Sequence, residues 1–488
     1  MASIYNSIKN LASDSLIYGL SGILTKFISV FLTPIYTRVY SPEDYGVIGI
    51  LTNAYFLVSI ILVFALDNST ARWFYDSSDF SERKKIINTW LWSYLVFSIV
   101  ACLFFFFSAD FWANLLLKEY SNGIYLIKLL ALTLPLLVWP SVGVNVLRFE
   151  RKAKKAIFLS LFQSFMLILL NVVFVVILKF GVEGVYYAQL FGTLIILPLV
   201  FYLLKDWLGF PNLFEFKLFK SMVKYSFPFV PASLGFWIVN LSGVFFINEY
   251  LDKIDVGLFQ IGVSVAAVTG LATNAFQQAW SPFAFSILNQ PNNKEIYAAS
   301  FQLFVLIVGS ACMAVSIFSS EILIILTTPQ YFKAKIVASI LTFNYLFMGI
   351  TSIASLGSAI AKTTTPLGFI SVLSSIVLIG LNFLLIPYLG KEGAALSICI
   401  SQLIIPVYMF WKSQKLYYIP FDFSKNFIMI ILFILGSFSI YLFPEFGLVF
   451  TIFLKLILIS IFFFILLFIN RNEVRKILTV FKIKNNII

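Results

Sequence analysis

Apolar positions along the 488-residue chain come in runs of about twenty separated by short polar breaks, the length an α-helix needs to cross a hydrocarbon core roughly 30 Å thick. Fourteen such runs begin near Ser15, Tyr45, Asn88, Asn122, Ala156, Glu183, Tyr225, Val256, Ala298, Ala334, Thr364, Lys391, Asn426 and Gly447. The pattern predicts an all-α integral membrane protein of about fourteen transmembrane helices, and an even number returns both chain ends to one side. The longest breaks, Asp67 to Ile87 and Lys205 to Lys224, leave no room for a separate catalytic domain.

The chain also repeats itself. At an offset of 211, AIFLSLFQSFMLILLN at 156–171 aligns with LGFISVLSSIVLIGLN at 367–382, with Phe158/Phe369, Ser160/Ser371, Ser164/Ser375 and Asn171/Asn382 among the identities. Apolar bias supplies Leu and Ile matches readily, but not Phe, two Ser and Asn together. In the same order, DYGVIGI at Asp44 aligns with DVGLFQI at Asp255, again 211 apart, and FGVEGV at Phe180 with LGKEGA at Leu389, 209 apart. The offset covers six spans, so the two copies share one orientation and form parallel repeats about an axis along the membrane normal. The expected organisation is an N-lobe over residues 1–210, a C-lobe over 211–420, and two further spans with a tail over 421–488. Two six-helix lobes around a central cavity is the architecture of alternating-access transporters.

Composition agrees with the pattern, at 60% hydrophobic and 11% charged, against roughly a quarter charged in globular domains. The formal charge of +12 would suggest nucleic acid, but the placement of the basic residues matters more than their sum. Of the 34 Lys and Arg, 24 fall in the terminus, loops and tail of one side, 7 on the other and 3 inside spans. That asymmetry predicts cytoplasmic N- and C-termini and removes the nucleic-acid reading. Cys102, Cys312 and Cys399 lie within apolar runs without metal-type spacing, and His is absent. Neither a metal nor a cofactor is expected. The polar start MASIYNSIKNLASD, followed by a run of full spanning length, reads as no cleavable signal peptide.

Several stretches resemble the polysaccharide-flippase (Wzx-like, O-antigen) family of the multidrug/oligosaccharidyl-lipid/polysaccharide (MOP) exporter superfamily. They are TRVYSPEDYGVIGI after the first span, ALDNSTARWFYD after the second, FPFVPASLGFWIVN in the seventh, FQQAWSPFAF in the eighth and NFLLIPYLGKEGAALS between the eleventh and twelfth. The similarity runs over most of residues 10–415. One departure is Ser242-Gly243, where many relatives carry an Asp-Arg pair. The resemblance implies a flippase of the bacterial inner membrane that moves an undecaprenyl-diphosphate-linked oligosaccharide repeat unit to the outer leaflet. It also implies a polysaccharide polymerase and a chain-length regulator as partners, beside membrane lipid. A multidrug or cation exporter of the same superfamily and a peptidoglycan-precursor flippase are the competing transporters. An enzyme would need a catalytic loop that the chain lacks.

A charge held at mid-bilayer costs about 2.5–3.5 kcal/mol, which makes one a functional candidate. Lys26 shares one helical face with Ser15, Gly19, Gly22, Ser29 and Thr33, a stripe that reads as cavity lining or as a packing seam that gives no reason for a lysine. The matching face of the seventh span carries Ser233, Trp237 and Asn240, suited to sugars or to packing. Arg72 stands where the second span leaves the membrane, as a diphosphate contact or an ordinary topogenic arginine. Lys128, near the outer end of the fourth span, reads as a cavity cation or a snorkelling one, and Lys455 as snorkelling. Arg38 is a candidate on the release side. Asn274 and Gln277 lie along a polar side of the eighth span, lining a path or stitching helices. For a coupling ion the candidates are Asp67 and, less readily than as a helix N-cap, Asp14.

Overall fold

The computed structural model describes residues 32–118, 120–361, 363, 365–438 and 448–469; Lys26 and Asp14 lie outside them. Among the described residues all regular structure is helical. Residues 32–39 are helical. There follow α1 (Pro42–Val63), α2 (Leu66–Asp76), α3 (Phe80–Phe107), α4 (Ala109–Leu117), α5 (Gly123–Phe149), α6 (Ala153–Asn171), α7 (Glu183–Leu204), α8 (Phe216–Ser226), α9 (Phe229–Leu241) and α10 (Gly243–Tyr250). The second half comprises α11 (Lys253–Ser286), α12 (Asn293–Ile317), α13 (Ser319–Leu326), α14 (Lys335–Ala354), α15 (Leu356–Ile360), α16 (Thr365–Leu416), α17 (Phe423–Phe438) and α18 (Leu448–Ile469). Nine helical stretches among the described residues are long and apolar enough to cross a membrane, with α1 and α2 counted together; α9 makes a tenth only when it is counted as one span with α8, from which it is bent by 51°. The runs expected near Thr364 and Lys391 are two helices within α16, separated by a kink at Gly390, φ +61° and ψ −142°.

Where the hydropathy pattern placed loops at 67–87 and 205–224, the chain is mostly helical. The second span does not stop at Phe64. It breaks there, with Phe64 and Ala65 both left-handed at φ 50° and 52°, and resumes as α2. Two consecutive side-chain-bearing residues in this region cost about 1–2 kcal/mol each, so the surroundings must hold them. They do: Ser226 Oγ donates to the Ala65 carbonyl at 2.9 Å in a buried bond, and the Phe64 and Phe227 rings stand 6.3 Å apart. The break of the second span thus sits against the bend at Phe227-Pro228. Pro228 removes a ladder hydrogen bond at that bend, whereas Pro135, Pro140 and Pro282 lie inside continuous helices.

The chain divides into two compact units. One runs to Gln260 and takes in Ile379–Ala394; the other comprises Ile261–Leu378 and the rest from Ala395. The first is built on a core of Leu66, Ile87, Trp90, Leu91, Val138 and Val146. Its long connection after α7 is tied to α3: Asn88 donates to the Trp207 carbonyl at 2.8 Å and accepts from Gly209 N at 2.9 Å, and Thr89 Oγ1 accepts from Glu215 N at 3.1 Å. The core of the second gathers Tyr297, Phe304, Cys312, Met313, Leu346 and Phe433. Here α17 is seated by glycines, Gly309 against the Phe433 ring and Gly436 against Met313. Lys455 of α18 is not at the surface as snorkelling would require; it is 3% exposed and paired with both oxygens of Glu321 at 2.8 Å.

Candidate functional site

The repeat is visible in local geometry. Gly46 opens α1 and Gly257 opens α11, in the matched segments DYGVIGI and DVGLFQI, and their backbones cross so closely that a Cβ on either would strike the other helix. The clash for Gly46 is with the Lys253 carbonyl, and that for Gly257 is with the Pro42 carbonyl. Pro42 and Lys253 are themselves one repeat apart, so the crossing is two-fold in sequence as well as in space. Gly181 and Gly390, matched in FGVEGV and LGKEGA, both take a positive φ of 63° and 61°, open to glycine without penalty.

Polar pairs surround that crossing. The Ser41 hydroxyl caps α1 reciprocally with Asp44, and the other oxygen of Asp44 accepts from Tyr120 OH at 2.6 Å. Burial, followed by this hydrogen bond to a carboxylate, pushes the Tyr120 phenol well above its ordinary range, so it stays a neutral donor. Asp255, the repeat counterpart of Asp44, accepts from Lys391 Nζ at 2.8 Å, and Lys253 approaches Glu43 at 3.9 Å. A further clamp joins α4 to α10: Lys118 Nζ donates to the Asn248 carbonyl at 2.9 Å, and Asn248 Nδ2 returns a bond to the Leu116 carbonyl at 3.0 Å. Lys118 holds φ 51°, ψ −127°, a conformation that costs about 1–3 kcal/mol outside glycine. Of these residues, those in DYGVIGI, DVGLFQI, FGVEGV and LGKEGA were reached from sequence as markers of the repeat, and those in TRVYSPEDYGVIGI as part of the family resemblance; Tyr120, Lys118 and Asn248 were not reached.

At the far end of α1–α2, Arg72 is exposed, 3.7 Å from Asp76 and over the Tyr225 ring at 5.1 Å. Asp67 lies half-buried in the first turn of α2, just after the break. Lys128 is half-buried on α5 with its ammonium 5.3 Å from the Phe106 ring. Arg38 is exposed and donates to the Pro34 carbonyl at 2.8 Å. Trp237 is buried, its indole donating to the Asn53 carbonyl of α1 at 3.0 Å, while Asn240 bonds the Phe236 carbonyl of its own helix at 2.9 Å.

In the second unit, Asn274 bonds the Gly270 carbonyl of its own helix at 2.5 Å. Gln277 reaches across to α14, donating to the Met348 carbonyl at 3.1 Å and Ser352 Oγ at 2.9 Å. Thr273 and Trp280 add bonds to the carbonyls of Tyr345 and Ser352. The sites named from sequence thus fall into three groups. Trp237 and Gln277 join helices, Arg72 and Arg38 are exposed cations, and Asn240 and Asn274 are half-buried amides whose bonds among the described residues are to their own helices.

Among the described residues no group of His, Cys, Asp or Glu has the arrangement of a metal centre. No curated protein matches the chain. Among solved structures, a lipid II flippase MurJ in an inward closed conformation superposes with a TM-score of 0.75 at 15% identity, covering 95% of this chain and 100% of that one. A multidrug resistance MATE family transporter of the MOP superfamily, inward-facing, gives 0.68 at 14% identity over 84% of this chain and 97% of its own. An outward-facing MATE family transporter gives 0.57 at 16% identity over 84% and 94%. A family model described as polysaccharide biosynthesis protein matches residues 35–336. With well over half of its length matched, the chain belongs to the polysaccharide biosynthesis protein family, and it carries the fold of the MOP exporters.

Proposed function

We propose that the protein is a flippase that moves an undecaprenyl-diphosphate-linked oligosaccharide from the cytoplasmic to the outer leaflet of a bacterial inner membrane, for assembly of a surface polysaccharide. The observation that carries the reading is the conjunction of a polysaccharide biosynthesis family match over residues 35–336 with a flippase-type fold over nearly the whole chain. Either alone would leave the cargo or the direction of chemistry open. The membrane-spanning hydropathy pattern and the lack of a large extramembrane segment favour transport over catalysis.

In this reading the Gly46/Gly257 crossing is the outer closure and the Arg72 end faces the cytoplasm, as the distribution of Lys and Arg requires. The sequence halves 1–210 and 211–420 act as the two rocking lobes, and 421–488 supports the second. Lys26 offers the cation for the diphosphate in the cavity, with Arg72 meeting it first and Arg38 and Lys128 on the outward path. Asn240 and Asn274 offer amides to the sugars, and Asp67 carries the coupling proton or sodium ion.

Deletion in the native host followed by mass spectrometry of lipid-linked intermediates tests the function. The expected result is accumulation of a complete oligosaccharide-diphosphate-lipid, restored to normal by the wild-type chain but not by Lys26→Ala at equal membrane abundance. An unchanged lipid pool with altered drug sensitivity would favour a multidrug exporter, the reading that the MATE superposition keeps open.

A further inference from the structure

The Arg72 end of the first unit contains a cavity of about 500 Å³ between the end of α2, the start of α3 and one edge of α8. Trp73, Asp76, Lys85, Glu215, Lys217 and Ser221 are among its walls. Its chemistry is unlike the surrounding helix packing. Trp73 brings an aromatic wall, held by an edge contact with Tyr225 at 5.5 Å. Asp76 and Glu215 offer carboxylate oxygens, Ser221 a hydroxyl, and Lys85 and Lys217 ammonium donors. Among the described residues no side-chain hydrogen bond or ion pair engages Lys85, Lys217 or Glu215. An aromatic face beside hydroxyl, carboxylate and ammonium groups is what a glycan with polar substituents asks for: an apolar surface for the C–H face of a sugar ring and acceptors and donors for its hydroxyls.

The position of α8 fixes where this cavity lies relative to the bilayer. Met222 and Ser226 turn into the core, while Phe216 and Phe227, about three turns apart on one edge, are 69% and 62% exposed. An edge of exposed Phe beside Lys220 and Lys224 is that of an interfacial helix, with its rings in the acyl boundary and its lysines among head groups. Lys217, Leu218 and Ser221 line the cavity on the side of the helix turned away from Phe216 and Phe227, with Lys217 one heptad before Lys224. The cavity therefore opens at head-group level on the aqueous side of α8. Arg72 stands at its margin, linked through Asp76. A diphosphate at Arg72 would keep its lipid tail in the leaflet and project its sugars into the cavity.

We propose that this cavity is a loading site that binds the oligosaccharide head of the lipid-linked substrate before transport, and so contributes to the choice of sugar. The inference rests on the flippase reading above, and its test separates the two. Full-length protein in nanodiscs is titrated with the lipid-linked oligosaccharide isolated from the deletion strain and, separately, with undecaprenyl diphosphate lacking sugar. The probe pair is applied to wild type and to Glu215→Gln/Lys217→Gln, whose equal thermal unfolding temperature is checked first. The double variant is expected to bind the sugar-bearing lipid at least tenfold more weakly, the loss that follows from a hydrogen bond to a charged group, and to bind undecaprenyl diphosphate as wild type does. Equal affinities of variant and wild type for the sugar-bearing lipid would overturn the loading site and leave the flippase reading standing, as would equal weakening toward both lipids. Failure of the wild type to bind either lipid would overturn both. A Trp73→Phe variant, which keeps the ring contact with Tyr225, provides an independent check, with weaker binding expected for the sugar-bearing probe alone.

Discussion

Lys455 shows how far a single charged residue can depart from its sequence context. On an apolar helix near its end, a lysine is expected to stretch to the interface; here Glu321 on α13 captures it with two bonds of 2.8 Å, and only 3% of it remains exposed. No spacing rule relates residues 134 positions apart, so the pairing was not legible. Breaking one side leaves a buried charge, at a cost of about 3–5 kcal/mol. Lys455→Met is therefore expected to lower the thermal unfolding temperature markedly, and Lys455→Met combined with Glu321→Leu to recover most of it. A double variant as unstable as the sum of the singles would contradict that account. Gln277 was open to two readings in sequence for a similar reason, since an amide at a helix surface suits a cavity or a neighbour, and only the carbonyl of Met348 and hydroxyl of Ser352 decide which it meets.

At the scale of elements, hydropathy located the helices but not their interruptions. The break after Val63 carries neither Gly nor Pro, the usual punctuation; Phe64 and Ala65 are held left-handed by Ser226 and Phe227 from another part of the chain. Ala65→Gly should relieve part of that strain and raise stability by about 1 kcal/mol, whereas Ser226→Ala should lower it by about as much, both read by thermal unfolding. A destabilised Ala65→Gly would mean that the left-handed pair is not strained. The glycine crossing makes the opposite case. Gly46 and Gly257 were in the repeat alignment, yet their meaning appeared only when their helices met. Gly46→Ala should force that end apart, so that a Val256→Cys reporter, buried in the wild type, reacts faster with a maleimide in a chain whose three native cysteines are replaced. Unchanged labelling would show that the crossing tolerates a side chain.

For the whole molecule, apolar runs, basic asymmetry and the 211-residue repeat sufficed to read an all-α membrane fold, because each is a property of long stretches and survives ignorance of any one contact. The candidate site was less legible. Polar residues on apolar helices serve cavities and packing alike, and the pairs around Gly46 and Gly257 depend on contacts across distant segments. The central claim is that such a fold carries a lipid-linked sugar across a bilayer. Its most direct test is reconstitution of the purified full chain into liposomes holding the lipid-linked oligosaccharide in both leaflets, followed by oxidation of the sugars with impermeant periodate. The account predicts that nearly all of the sugar-bearing lipid is consumed with protein present and only the outer-leaflet half without it. Consumption that stops at the outer-leaflet half in both would contradict it.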